Sequence, residues 1–312
     1  MHAHWLAWVL IPSSFVTRPD TEDRTIEHGG KQRTYRLHVP SGFTKAKPVP
    51  LVIVLHGFGA NGKITEVLTG FTPLADKHGF AVVYPDGLLS MWRFWEPEGP
   101  VAKTKIARAK AARADDVGFI EHMIEQLIKE GVADRRRVYV TGISNGAYMT
   151  HRLACDLGDK IAAIAPVSGT MAKPMSESLK PPRPIPVVYF HGTDDKIVGV
   201  EGTDLFSKRA ISLSADDVVA WWAKHNGCAT EPQVEMLADK ADDGTTVECK
   251  TFTAGKSGAP VTFYEIYGGG HTWPGGNLQP EALLGKTSLD INASEIIWEF
   301  FSKFSLPESK GK

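Results

Sequence analysis

Between residues 50 and 56 the chain reads Pro50-Leu51-Val52-Ile53-Val54-Leu55-His56, apolar almost without interruption. Such a run predicts a strand buried on both faces of a parallel sheet. Similar runs recur at Phe80 to Tyr84, Val138 to Thr141, Ile161 to Val167 and Ile185 to Phe190. Between them the apolar period lengthens to that of a helix. Asp115 to Glu130 aligns Val117, Ile120, Ile124, Leu127 and Ile128 on one stripe, and Gly131 closes it. Helices are also predicted around Ile64 to His78, over Ala147 to Ala154, from Asp217 to His225 and from Ser294 to Phe304. Residues 22 to 39 alternate about Gly29-Gly30, which predicts a β-hairpin with a two-residue turn. Strands near Thr245 to Thr253 and Val261 to Ile266 complete the set. Strands alternating with helices predict a single doubly wound, mostly parallel sheet with helices on both faces.

Two stretches resist regular assignment. Residues 87 to 114 hold an aromatic cluster, Trp92, Phe94 and Trp95, followed by a basic run from Lys103 to Arg113, which reads as a solvated helix. Residues 199 to 215 read as a second insertion. Long connections of this kind often shape the mouth of a site.

Composition narrows the class. Hydrophobic residues make up 42% and charged residues 23% of 312, ordinary for a globular protein whose core needs no metal or disulfide staple. A net charge of −1 gives no general attraction to nucleic acid or to an anionic membrane, and no apolar run reaches the length of a span. Trp5 to Ile11 resembles the apolar part of a secretion signal, but a basic leader and a clean cleavage site are missing. Residues 1–20 are therefore read as a signal remnant or a flexible tail. Cys155 reads as a small buried hydrophobe; Cys228 and Cys249 could pair in an oxidising compartment, subject to geometry.

Chemistry concentrates in a few segments. Gly142-Ile143-Ser144-Asn145-Gly146 lies between a predicted strand and a predicted helix, the context in which a sharp turn lifts a serine out as a nucleophile. Such a serine needs a base and an orienting acid. After a later strand, His191-Gly192-Thr193-Asp194-Asp195 offers two candidates for the acid. Last in order, Gly268-Gly269-Gly270-His271-Thr272-Trp273-Pro274-Gly275-Gly276 offers His271 as the base, in a loop with five glycines. The oxyanion hole is expected from the backbone N–H groups of Asn145 and Phe58, with His56 structural. One competitor shares these residues. Gly57-Phe58-Gly59-Ala60-Asn61-Gly62, with Asp86 after the next strand, matches a dinucleotide-binding pattern and suggests a nicotinamide-dependent oxidoreductase. That reading leaves the serine turn and both later loops unexplained. Asp115-Asp116 reads as a helix cap, Asn292-Ala293-Ser294 is a formal glycosylation site, and no ligand spacing suggests a metal.

With these segments in place, the chain resembles the polyhydroxybutyrate depolymerase and feruloyl esterase-like family of α/β-hydrolases. The resemblance rests on Leu55-His56-Gly57-Phe58-Gly59, Phe94-Trp95, Asp115-Asp116-Val117-Gly118-Phe119, Gly142 to Ala147, His191 to Asp195, Asn226-Gly227-Cys228 and Gly268 to Gly275. It implies an α/β-hydrolase catalytic domain over residues 21–307, followed by a flexible tail at 308–312. The family's usual His-Gly-Thr-Ala-Asp aligns Asp195, not Asp194, with the acid. The resemblance further implies a secreted serine esterase without cofactor, cleaving small or polymeric esters of hydroxyacids, hydroxycinnamates or acetylated polysaccharide through an acyl-enzyme. A peptidase on the same fold and a non-catalytic polysaccharide-binding relative are the competing readings. Two departures stand out: Cys249 lies earlier than the family's second cysteine, and the stretch after Asp195 is longer. Trp92, Phe94, Trp95, Tyr148 and Trp273 are expected around the substrate, unless Phe94 and Trp95 pack into the core.

Overall fold

A computed structural model describes residues 21–95, 114–203 and 212–308. The apolar segment at Trp5 to Ile11, the basic run at Lys103 to Arg113 and part of the second insertion lie outside the described residues. The predicted hairpin forms from β1 (Thr21–His28) and β2 (Lys31–His38), with Gly29 and Gly30 both at positive φ. It joins a sheet with β3 (Val49–Leu55), β4 (Ala81–Pro85), β5 (Ala133–Ile143), β6 (Ala163–Val167), β7 (Val187–Gly192), β8 (Gln233–Met236), β9 (Thr246–Phe252) and β10 (Val261–Tyr267). The ten strands lie in the order β1-β2-β4-β3-β5-β6-β7-β10-β9-β8. The run from β4 through β10 is parallel, and antiparallel strands finish both edges.

Continuous apolar strands need partners on both faces, and they have them. Leu51, Ile53 and Leu55 of β3 enter one core cluster, Val52 and Val54 the other. The first cluster takes α3 (Asp116–Lys129) through Phe119, Ile120, Met123 and Ile124, α4 (Asn145–Asp156) through Met149 and Leu153, and α6 (Ala215–Asn226) through Val218 and Trp222. The second takes α2 (Phe71–His78) and α8 (Ala293–Phe301). Short helices α1 (Gly62–Thr69), α5 (Lys173–Ser178) and α7 (Glu281–Leu284) complete the described helices.

Several local expectations change. The helix expected around Ile64 to His78 is two, because Gly70 at φ 65 ends α1 and opens α2. Only Asp115 caps α3, accepting from Gly118 N at 2.9 Å. Asp116 instead forms a buried pair with Arg33 at 2.6 Å. Asn292, the formal glycosylation position, caps α8 by accepting from Glu295 N at 3.1 Å. The considered Cys228–Cys249 pair does not form; all three cysteines are free thiols.

Buried imidazoles set an acid limit on this fold. His151 of α4 accepts the Trp222 indole N–H at 3.1 Å, and burial pushes its pKa down to about 3. Burial lowers His56 and His191 as well. An unfolded imidazole takes its proton near pH 6.5, long before the folded His151 accepts one. The unfolded state therefore binds more protons across this window, and stability falls as pH drops from about 6.5 toward 3. The slope reaches up to about 1.4 kcal/mol per pH unit for each such group. Urea midpoints measured from pH 7 to pH 4 should fall, and His151→Gln should flatten the fall. Equal slopes in parent and variant would place the acid sensitivity elsewhere.

Candidate active site

The candidate residues gather at the carboxyl ends of the parallel strands, where open α/β sheets place their ligands. Phe58 follows β3, Ser144 follows β5, Asp195 follows β7 and His271 follows β10. Ser144 stands at φ 58, ψ −121, between the end of β5 and the first turn of α4. That backbone requires its neighbours to be bare. A Cβ on Gly142 would lie 2.8 Å from the Gly146 backbone, and one on Gly146 would lie 2.5 Å from the Leu55 carbonyl. The serine side chain makes no capping bond to its own helix.

Asp195 and His271 meet across two loops. Asp195 Oδ2 lies 2.7 Å from His271 Nδ1, with the carboxylate side chain fully buried. Its other oxygen accepts from Ile197 N at 2.9 Å and Val198 N at 2.8 Å. Burial works to raise the Asp195 carboxyl, but the field and hydrogen bond of His271, the field of His191 and the Val198 amide together hold it below the usual range. Asp194 is exposed and, among the described residues, its side chain accepts only from its neighbour Thr193 and not from His271. The loops pack backbone on backbone: a Cβ on Gly192 would strike the Gly269 carbonyl, which accepts from Asp194 N at 2.9 Å.

The end of β6 links this pair to the serine turn. Ser144 N donates to Val167 O at 3.0 Å, and the Ser168 hydroxyl donates to Thr272 O at 2.9 Å. Among the described residues, no hydrogen bond joins the Ser144 hydroxyl to the His271 ring in this conformation. Catalytic contacts of this kind often tighten only when substrate is bound. Sequence reasoning missed His191. Buried beside Asp195, at 3.5 Å from Oδ2, it donates through Nε2 to Val198 O at 2.8 Å and accepts from the Tyr189 hydroxyl at 2.5 Å. It ties down the loop that carries the carboxylate. The only signal for it was its place in His-Gly-Thr-Asp-Asp.

Phe58 is half exposed beside the serine, and a Cβ on Gly57 would lie 3.4 Å from Ser144 Cβ. The amides of Gly59 and Ala60 are bonded, whereas that of Phe58 has no partner among the described residues. The Asn145 amide opens α4 and has no intrahelical acceptor, as for the first residues of any helix.

The aromatic assignments need correction. Trp273 is fully buried in the second core cluster, its indole N–H donating to Ser294 Oγ at 3.0 Å and its ring edge-on to Phe71. Trp92 is buried too, with its indole N–H on His56 O at 3.0 Å. Neither has a face left for a substrate. Phe94 stacks on Tyr148 at 4.7 Å; Phe94 and Trp95 are half-buried against the core, and the Tyr148 hydroxyl contacts Thr170 and Ser212 at 3.0 and 3.1 Å. A cleft of about 240 Å³, lined by Arg33, Asn61, Asp86 and Ser90 among others, contains none of Ser144, Asp195 and His271.

Asp86 also removes the oxidoreductase reading. Its Oδ1 accepts from Gly62 N at 2.7 Å, at the opening of α1 where a pyrophosphate would sit, and its Oδ2 accepts from Thr34 Oγ1 at 2.7 Å. The protein's own carboxylate fills that anion position. Comparison with known proteins agrees, because residues 41–233 match the Phospholipase/Carboxylesterase family. The chain belongs to that family. It is a carboxylic ester hydrolase of the α/β-hydrolase fold. NocK of Nocardia uniformis subsp. tsuyamanensis, named as an esterase, is 28% identical over 292 residues, covering 90% of this chain and 82% of its own. Feruloyl esterase B of Piromyces equi is 29% identical over 273 residues, 86% of this chain; the match spans only 44% of that enzyme. Acetyl xylan esterase from Aspergillus awamori shares the fold at TM-score 0.60 and 17% identity, over 90% of this chain and 98% of its own. No helix among the described residues is long and apolar enough to cross a membrane, and none of their His, Cys, Asp and Glu groups could hold a metal ion.

Trp273→Ala tests the reassignment. Truncating a buried tryptophan costs about 3–5 kcal/mol, so the melting temperature should drop sharply. At temperatures where the variant is folded, KM for p-nitrophenyl acetate and for an aromatic ester should change alike. A selective KM rise for the aromatic ester, with unchanged melting, would return Trp273 to the substrate site.

Proposed function

We propose that this esterase works through an acyl-enzyme on Ser144, with His271 as general base and Asp195 as the acid that orients it. The buried 2.7 Å contact between Asp195 Oδ2 and His271 Nδ1 carries the reading. A carboxylate there keeps the proton on Nδ1, which leaves Nε2 as the basic nitrogen, and it stabilises the imidazolium formed on attack. Ser144 Oγ attacks the ester carbonyl and gives its proton to His271. The developing negative oxygen takes the Phe58 and Asn145 N–H groups, both without partners among the described residues. The tetrahedral adduct collapses, the alcohol leaves with the histidine's proton, and water then repeats the sequence to release the acid.

Relatives support the substrate class. They carry the names feruloyl esterase, acetylxylan esterase/xylanase and poly(3-hydroxyalkanoate) depolymerase. Esters of hydroxycinnamates, acetylated polysaccharide or hydroxyacid polyesters are the substrates proposed here. One catalytic domain over residues 21–307 belongs to the same proposal, supported by the single sheet from Thr21 to Tyr267. Work outside the cell is part of it as well. Its support is the apolar Trp5 to Ile11 segment, and the three free thiols add none.

Ser144→Ala should abolish hydrolysis of p-nitrophenyl acetate, and an organophosphonate should label Ser144 alone. Asp195→Asn should lower kcat by about 10⁴-fold, as loss of the orienting carboxylate does in comparable triads. Asp194→Asn should have little effect. Full activity in Ser144→Ala, or the reverse order of the two aspartate variants, would overturn the assignment. Rates on ethyl ferulate, acetylated xylan and hydroxybutyrate oligomers then rank the three ester classes.

A further inference from the structure

The turn from Gly87 to Trp92 touches both sides of the proposed oxyanion hole. Its first contact is with His56, whose Nε2 accepts from Gly87 N at 2.9 Å while Nδ1 donates to Gly57 O at 2.7 Å. Both ring nitrogens are thus engaged and the imidazole is neutral, as burial also favours. The Trp92 indole N–H donates to His56 O at 3.0 Å, and its ring lies 4.9 Å from the imidazole. Ser90 O accepts from Gly59 N at 2.7 Å. Residues 56, 57 and 59 are therefore held from one side, and the Phe58 amide between them has no partner among the described residues.

The same turn holds the other donor. Trp92 N donates to Asn145 Oδ1 at 2.6 Å, and Asn145 Nδ2 donates back to Trp92 O at 3.2 Å. The next residue is anchored as well, since Arg93 N donates to Asp116 Oδ2 at 2.8 Å and Asp116 is paired with buried Arg33. Making these contacts bends the chain hard. Leu89 and Ser90 stand at φ 58 and 56 without being glycine, and a Cβ on Gly87 would meet Met91 O at 2.4 Å. Strained turns of this kind persist when their surroundings over-determine them, and they gather at functional sites.

We propose that residues 87 to 92 form a brace that sets the spacing of the Phe58 and Asn145 amides, with Trp92 and the Asn145 side chain as positioning residues. This rests on the reading of Ser144 as nucleophile. The brace never touches substrate. It matters only when charge develops on the carbonyl oxygen, so it should act on kcat and not on KM.

Two variants test it. Trp92→Phe keeps a ring against His56 and removes the indole N–H. Asn145→Ala keeps the backbone amide and removes both bonds to Trp92. With p-nitrophenyl acetate, each should lose about 10- to 100-fold in kcat, the scale of a displaced or missing oxyanion donor, with KM within about two-fold. Phosphonate labelling of Ser144 should slow by the same factor, and the midpoints of the kcat/KM pH profile should not move. The double variant should lose less than the product of the two singles, because both act through one turn. If Trp92→Phe does not fold, Asn145→Ala decides alone, since alanine is well tolerated in a first helical turn. Labelling of Ser144 at the parent rate, with kcat unchanged, would remove the brace and leave the nucleophile assignment standing. Parallel changes in kcat and KM with a lowered melting temperature would reduce Trp92 to core packing and also overturn it. Labelling at another residue would instead overturn the nucleophile reading.

Discussion

Ser144 holds φ 58, ψ −121, a conformation that a residue with a side chain does not choose for itself. The surrounding backbone imposes it. Gly142 and Gly146 come within contact of each other, and Gly146 lies against the Leu55 and His56 carbonyls at the end of the neighbouring strand. Pinning Ser144 N to Val167 O fixes the turn from the other neighbour, β6. The turn therefore exists only because β3, β5 and β6 are parallel neighbours whose ends stop at the same level. Sheet order, strand length and two bare glycines together hold the Ser144 turn at the sheet edge.

The buried carboxylate imposes a second constraint. Removing Asp195 from water is unfavourable unless its charge is met, and the structure meets it from three directions. His271 contributes the 2.7 Å contact, Ile197 and Val198 contribute amides, and His191 stands 3.5 Å away. His191 is bonded on both nitrogens, so it fixes the loop that carries the carboxylate as well as adding its field. Because both loops lack side chains at Gly192 and Gly269, they approach closely enough for the imidazole to reach the acid. A larger residue at either position would separate the two loops before it altered any chemistry.

Where a single residue type answers to one dominant force, the sequence was readable. The strands β3, β4, β6 and β7 show as largely apolar runs because burial on both faces leaves little room for polar side chains, whereas β5 shows only from Val138 on, its charged start at Asp134 to Arg137 being partly exposed. The serine turn shows because crowding admits only glycine on either side. Asp195 could not be separated from Asp194 by residue type; the resemblance preferred it, and it is the aspartate buried against His271. The rest depended on contacts that sequence spacing does not encode. Trp92 and Trp273 were expected at the substrate because aromatic rings suit both a pocket and a core, and burial decides between them. Asp116 looked like a cap until Arg33, 83 residues away, supplied its partner. Gly70 reads as tolerable inside a helix, yet its φ of 65 divides one into two. The edge strand β8, Gln233–Met236, alternates polar and apolar residues but is too short to stand out, and its exposure leaves neither face to a core.

The glycines of the Phe58 loop show how one pattern can serve two physical ends. In a dinucleotide site, Gly57, Gly59 and Gly62 would let a pyrophosphate approach the backbone and a helix N-terminus. In this chain Gly57 lies beside Ser144, Gly59 gives its amide to Ser90, and Gly62 lets α1 approach the Tyr84 carbonyl. The positive end of α1 still attracts an anion, and Asp86 answers it from within the protein. With that carboxylate in place Gly62 N is satisfied, while the Phe58 amide, beside the serine, has no partner among the described residues. The same short glycine-rich turn thus offers no open anion site at its helix, and what closes it to a phosphate is the strand end that supplies Asp86.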